Sequence, residues 1–240
     1  SGTVVYPRIV VTAAHCLQEK IRWRGVEFYT DAYVEPSRLS VSVVRRGGTE
    51  TYAVAETAVS PSWRALIREN SIRRFPYDLA LIVTEEPIAV DAPPSALRAW
   101  PQRRTLHDSA DNVAQDGVLV GFGGGHCVSA SRCEDAGVRR FMPVAIKDQA
   151  YCFRRPDERD QLGSLSVWCL DSGVMPGDSG GALLVETGGG QLYYVGVISA
   201  QQGLPPELSG VASWRRSLAA GLAANVPFII EKARELGYEP

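Results

Sequence analysis

Met175-Pro176-Gly177-Asp178-Ser179-Gly180-Gly181 runs directly into Ala182-Leu183-Leu184-Val185. The first stretch packs poorly, because three glycines, an aspartate and a serine offer little apolar surface. Glycine tolerates backbone angles closed to other residues, so Gly177, Gly180 and Gly181 permit a tight turn with outward N–H groups that another chain can approach closely. The second stretch reads as a buried strand. Ser179 therefore stands at the mouth of a rigid element, a good position for a nucleophile. An ordinary Gly-rich β-turn would carry the same five residues, and only partners elsewhere in the chain separate the two readings.

The 240 residues suffice for one large all-β domain or two small lobes, burying about 70–75% of the unfolded surface. Hydrophobic residues make up 45% and charged residues 22%, and 27 acids against 25 bases leave a net charge of −2. That balance points away from nucleic acid or an anionic membrane as the main partner. Arginine doublets such as Arg45-Arg46 and Arg139-Arg140 read as solvated loop positions. No apolar run approaches the roughly 18–20 residues of a membrane span, and Ser1 does not open a signal-peptide pattern.

None of the five cysteines forms Cys-x-x-Cys, so a zinc ribbon or thioredoxin-like site is not expected, and neither a metal nor a cofactor is implied. Local pairs fit better. Cys127–Cys133 would staple one loop, and Cys152–Cys169 would close a longer one worth roughly 3 kcal/mol. Such bridges imply an oxidising compartment, either secreted or periplasmic. Cys16 is left over, either paired with a residue ahead of Ser1 or present as a buried free thiol.

Along the first ninety residues, short β-type runs alternate with turns: Thr3–Tyr6, Ile9–Val11, Val41–Val44, Thr51–Ala55 and Leu79–Val83. Spacings of this kind suggest an antiparallel sheet closed into a barrel or sandwich. Residues 65–74 read as a loop or short helix. Residues 91–116, with Pro93-Pro94, Pro101 and many charges, read as the connection between two lobes, 1–105 and 106–240. The second half repeats the strand habit at 117–123, 142–146, 167–169, 182–185 and 193–199. At the end, Asn225 is placed to cap a helix with Pro227 in its first turn, an apolar face from Phe228 to Leu236, and Gly237 as the stop.

A serine hydroxyl is a weak nucleophile at neutral pH, so Ser179 needs a base and the base needs an orienting group. Of the three histidines, His107 lies in the polar connection and His126 beside Cys127 in a Gly-rich loop. His15 differs, because the strand Ile9-Val10-Val11 leads into Thr12-Ala13-Ala14-His15-Cys16, whose small residues leave room around an imidazole. Asp78 opens the apolar run Leu79–Val83, where a buried charge must be paired. Gly177-Asp178-Ser179-Gly180-Gly181 also satisfies the Gly-x-Ser-x-Gly elbow of α/β-hydrolases, but in that class the histidine follows the serine. Here the order is His15, Asp78, Ser179, which excludes an esterase of that fold.

Thr12-Ala13-Ala14-His15-Cys16, Asp78-Leu79-Ala80-Leu81 and Gly177-Asp178-Ser179-Gly180-Gly181 resemble the three signature blocks of trypsin-like (chymotrypsin-fold) serine proteases. Gly121-Phe122-Gly123, Ser60-Pro61-Ser62-Trp63 and the C-terminal helix resemble lesser features of that family. The resemblance implies an all-β fold of two antiparallel six-stranded β-barrels with a C-terminal α-helix, the first barrel lacking its N-terminal segment. It implies His15, Asp78 and Ser179 as the catalytic set, the Gly177 and Ser179 N–H groups as the oxyanion hole, and Cys152–Cys169 as a family disulfide. Ser199 corresponds to the serine that supports the aspartate, and Gly173, Val174, Ser199 and Gly221 fall to the primary pocket. Protein or peptide substrates, a proteinaceous inhibitor and a monomeric state follow from the same likeness. A non-catalytic homologue acting as a protein-binding module is the rival reading.

Three departures matter. The family's activating N-terminus, which pairs with the aspartate before the nucleophile, has no counterpart at Ser1, so Asp178 is expected to lack that partner. Gly173 stands where trypsins carry the aspartate that selects Lys or Arg, and Val174 narrows the pocket, which implies small or medium apolar P1 residues. Asp171 reaching in, or Arg215 or Arg216 favouring an acidic residue, are the alternatives. Residues 200–220 look irregular, and activity is expected to rise with pH through the ordinary histidine pKa of about 6–7.

Overall fold

The computed structural model describes residues 1–239 apart from 25, 68–71, 91–114, 125–126, 130–131, 134–136, 154, 163–166, 172, 176, 187–191 and 203–215. The expected boundary near residue 105 and both His107 and His126 lie outside the described residues.

The first lobe is built on β2 (Ile9–Thr12), whose four residues are all buried, and β7 (Ala80–Thr84), paired antiparallel with Ile9 opposite Val83. β1 (Thr3–Tyr6), β6 (Gly48–Val59) and β5 (Ser40–Arg45) complete a five-stranded sheet in the order β1-β2-β7-β6-β5. Among the described residues this sheet is an open half-barrel. β3 (Gln18–Trp23) and β4 (Val26–Tyr33) form a separate two-stranded hairpin that the sequence reading missed. Its two-residue loop puts Arg24 at φ 49°.

The second lobe closes. β8 (Gln115–Gly121), β11 (Arg140–Lys147), β12 (Val167–Asp171), β13 (Ala182–Glu186), β14 (Leu192–Gln202) and β15 (Arg216–Gly221) form a six-stranded barrel in the order β11-β12-β15-β14-β13-β8. Closure leaves no free edge, and alternate residues of every strand point inward. Leu119, Val144, Trp168, Leu183, Val195 and Ile198 fill the interior, with the Trp168 indole N–H donating to the Val195 carbonyl at 2.9 Å. Part of the segment read as irregular is therefore regular, since residues 200–202 belong to β14 and 216–221 are β15. Between β8 and β11, β9 (Cys127–Ser129) and β10 (Arg132–Cys133) form a small ribbon in which Cys133 and Cys127 are backbone register partners. The side chains of that expected bridge lie outside the described residues.

Helices among the described residues are few: α1 (Pro61–Leu66), α2 (Gln149–Cys152), α3 (Pro156–Leu162) and the C-terminal α4 (Val226–Glu235). No helix among the described residues is long and apolar enough to cross a membrane. Gly237, at φ 78°, ends α4 as expected. Asn225 precedes α4 but makes no side-chain capping bond. Its amide nitrogen donates instead to the Pro76 carbonyl at 2.8 Å and the Gly221 carbonyl at 3.0 Å. The cap preference of asparagine is overridden because the side chain is 1% exposed and a buried amide seeks its strongest available acceptors.

The lobes share a core. Val5, Ile9, Leu79 and Leu81 of the first pack with Tyr194, Val197 and Leu222 of the second and with Ile229 and Ala233 of α4. Each fully buried Leu or Ile contributes about 1.5–3 kcal/mol, so separating the lobes would forfeit much of this stability. The Cys152–Cys169 disulfide is present, its Cα atoms 5.9 Å apart, and ties α2 to β12. Replacing both cysteines by alanine is expected to cost about 3 kcal/mol, read as a lower urea midpoint with a raised m-value, since the unfolded chain is released from its cross-link.

Candidate active site

The ends of three elements meet at one cleft. β2 runs buried into Ala13 and Ala14, both with 0% exposure. A single 3-10 turn over Ala14–Leu17 then swings His15 toward the cleft. Asp78 emerges from a second 3-10 segment, Ile72–Tyr77, just before β7, and is 1% exposed. A carboxylate so buried must be satisfied from several sides. The His15 backbone N–H donates to Oδ1 at 3.0 Å, His15 Nδ1 meets Oδ2 at 2.7 Å, and the Ser199 hydroxyl donates to Oδ2 at 2.5 Å. Ser199 sits at an irregularity of β14 between Ile198 and Ala200, opposite β15. A bulge of this kind re-aims one side chain out of the strand alternation.

Electrostatics follow from this packing. Burial alone would push the Asp78 carboxyl up, but the His15 charge and the hydrogen bonds from His15 and Ser199 outweigh it and hold Asp78 below the ordinary carboxylate value. Burial alone would likewise lower His15, yet the Asp78 charge and hydrogen bond hold the imidazole well above its ordinary 6.5.

The Ser179 loop is shaped by its glycines. Gly177 has φ 96° and Gly180 φ 84°, left-handed conformations that other residues adopt only with strain. A Cβ on Gly180 would also run into Thr12 Oγ1 and the Ser1 carbonyl. The Asp178 carboxylate is held by backbone donors. Oδ1 accepts the Gly123 N–H and Oδ2 the Met175 N–H, both at 2.8 Å. Those bonds fold the loop back on itself, assisted by Gly181 N–H to the Asp178 carbonyl at 2.8 Å. The N–H groups of Gly177 and Ser179 donate to no acceptor among the described residues.

His15, Asp78, Ser179 and Ser199 line one cavity of about 540 Å³ between the lobes, with Val174 and Met175 on the second-lobe side. Gly173 and Gly221, read as pocket residues, are not among its lining. Gly221 is instead paired with Gly196 inside the barrel. Val174 is held by its N–H donating to the buried Ser217 hydroxyl at 3.1 Å. Asp171 is also not in the cavity. Its Oδ1 accepts the Tyr151 hydroxyl at 2.6 Å, and Lys147 lies 3.9 Å from Oδ2. Arg216 stacks on the Tyr151 ring, 4.8 Å from its centroid, and Arg215 lies outside the described residues. Cys16 is free but exposed rather than buried, its sulfur 3.7 Å from His15 Nε2.

Sequence reading missed the first-lobe wall of the cleft. Tyr29, Thr30 and Asp31 of β4 line it together with Trp63 and Phe75. Tyr29 stands edge-on to His15 with ring centroids 6.0 Å apart. The signal was faint, because Ile21 of β3 and Tyr29 of β4 are large apolar side chains left exposed.

A protein-family model described as Trypsin matches residues 1–217, reaching from β1 into β15. No curated protein matches the chain.

Asp78 and His15 are linked in stability as well as in place. Asp78, with its pKa depressed, stabilises the fold above the unfolded value near 4 and ceases to as pH falls through its folded value. His15, with its pKa raised, stabilises it below about 6.5 and ceases to as pH rises through its folded value. The pair thus contributes most between roughly pH 4 and 6.5. Asp78→Asn is expected to lower the His15 pKa and flatten this dependence, measured by proton NMR titration and by urea unfolding across pH.

Proposed function

The chain belongs to the trypsin family, and we propose that it is a serine endopeptidase using Ser179, His15 and Asp78. The observation that carries the proposal is the 2.7 Å contact of His15 Nδ1 with Asp78 Oδ2, at a cavity that Ser179 also lines. Ser179 Oγ attacks the scissile carbonyl while His15 Nε2 takes its proton. Asp78 holds Nδ1–H, fixing the tautomer that leaves Nε2 free to accept and stabilising the imidazolium that forms. The tetrahedral oxyanion is met by the Gly177 and Ser179 N–H groups, which donate to no acceptor among the described residues. A donor of that kind is worth about 3–4 kcal/mol in the transition state. His15 then returns the proton to the leaving amine, and water repeats the sequence on the acyl-enzyme.

Preference for a small or medium apolar P1 residue is supported by Val174, 4% exposed at the cavity wall, and by the engagement of Asp171 with Tyr151 and Lys147. Neither Asp171 nor Arg216 lines the cavity, so neither is placed to select a charged P1 side chain. The Cys152–Cys169 disulfide supports an oxidising compartment, secreted or periplasmic. Protein or peptide substrates, and a proteinaceous inhibitor, are the fitting partners.

Ser179→Ala in the full-length, processed protein is expected to lower kcat about 10⁶-fold and to abolish labelling by a fluorophosphonate. Unchanged peptide hydrolysis by that variant would sink the proposal. Because Asp78 raises His15, and only neutral His15 accepts a proton, kcat/KM should rise with pH through a midpoint above 6.5 rather than at the ordinary histidine value. Cleavage of a peptide library predominantly after Lys or Arg would overturn the P1 assignment.

A further inference from the structure

Asp78 belongs to the first lobe, yet the segment that delivers it leans on the second. The 3-10 turn Ile72–Tyr77 packs Ile72 and Phe75 against a buried cluster of Cys152, Phe153, Leu162, Val167, Cys169 and Leu218. At its end, two residues before Asp78, the Pro76 carbonyl accepts from Asn225 Nδ2 at 2.8 Å. The second proton of that amide goes to Gly221 O at 3.0 Å, at the end of β15. Asn225 is 1% exposed. One planar amide therefore bridges the last barrel strand, the start of α4 and the backbone leading to the buried carboxylate.

We infer that Asn225 is a positioning residue for Asp78, a latch through which the second lobe sets the carboxylate that orients His15. The inference rests on the protease reading above. Ser199 holds the Asp78 side chain directly, whereas Asn225 acts on its main chain. Without the Nδ2 donor, the buried Pro76 carbonyl loses its partner and the turn is free to shift. The His15 Nδ1 contact at 2.7 Å then lengthens. Displacements of this size, remote from the chemistry, cost up to about 100-fold in rate. The titratable and charged groups facing His15 are Asp78, the Cys16 thiol, and Asp31 and Arg74 in the cavity, with Lys20 over the Tyr29 ring. A change at residue 225 alters none of them chemically.

The test compares Asn225→Ala and Asn225→Ser in the full-length, processed protein. A serine at this position reaches the local Gly221 carbonyl, as hydroxyls do four residues back, but not Pro76. It thus preserves the start of α4 while opening the latch, and keeps the test alive if the alanine variant does not fold. Both folded variants are expected to lose about 10- to 100-fold in kcat with little change in KM, and to move the acid limb of kcat/KM to lower pH. Proton NMR should show the same downward move in the His15 titration and loss of intensity in its Nδ1–H resonance. A variant that melts earlier but keeps the parent's kcat, acid limb and His15 titration would overturn the latch and leave Asn225 a purely structural residue. Should the parent neither hydrolyse peptides nor label with a fluorophosphonate, the protease reading fails, and the His15 titration still decides whether Asn225 positions Asp78.

Discussion

A carboxylate with 1% exposure cannot stay ionised in an apolar surrounding unless donors reach it from several directions. Asp78 meets that condition with groups from both halves of the chain: two nitrogens of His15 in the first lobe and the Ser199 hydroxyl in the second. Neither lobe alone satisfies it. The same need for satisfaction explains why the neighbouring surfaces are apolar and interlocked, with Leu79 and Leu81 packed beside Val197 and Leu222. Docking of the lobes and assembly of the site are thus one physical event, and α4 seals it by burying Ile229 and Ala233 in the same cluster.

How much of this was legible in the sequence depended on whether local chemistry and tertiary role agreed. Ile9-Val10-Val11 and Leu79–Val83 are apolar because they are buried strands, and read as such. The His15, Asp78 and Ser179 blocks read clearly because each joins a polar reactive group to small or apolar neighbours, a combination with few structural uses. β15 was hidden by its own composition. Ser217-Leu218-Ala219-Ala220 has weak strand preference and is a strand only because barrel closure supplies partners on both sides. Asn225 misled in the opposite way, its cap preference real but outbid by the Pro76 and Gly221 carbonyls. Ser199 was found only through family likeness, since a bulge leaves no mark in the alternation pattern.

Asp178 shows how loop and site are coupled. Its two carboxylate oxygens accept from Gly123 on one side and Met175 on the other, so the backbone around Gly177 is held by the residue adjacent to the nucleophile. Val174, one position before Met175, is pinned from the other direction by Ser217. The wall of the cavity and the turn that bears Ser179 are in this way parts of a single braced strip. A change in pocket shape is accordingly transmitted to the geometry around the nucleophile.

The β3–β4 hairpin is joined to the rest differently. At its base, Gln18 donates its side-chain amide to Thr30 O at 2.9 Å and Val34 N–H to Leu17 O at 2.8 Å. Among the described residues its strands pair in a sheet only with each other. Lengthening a loop beyond such a clamp costs little, since closure entropy grows only logarithmically with length. This is therefore the part of the cleft wall that descendants of this chain are freest to extend, shorten or rewrite. Selection can explore new substrates there without first having to rebuild a barrel.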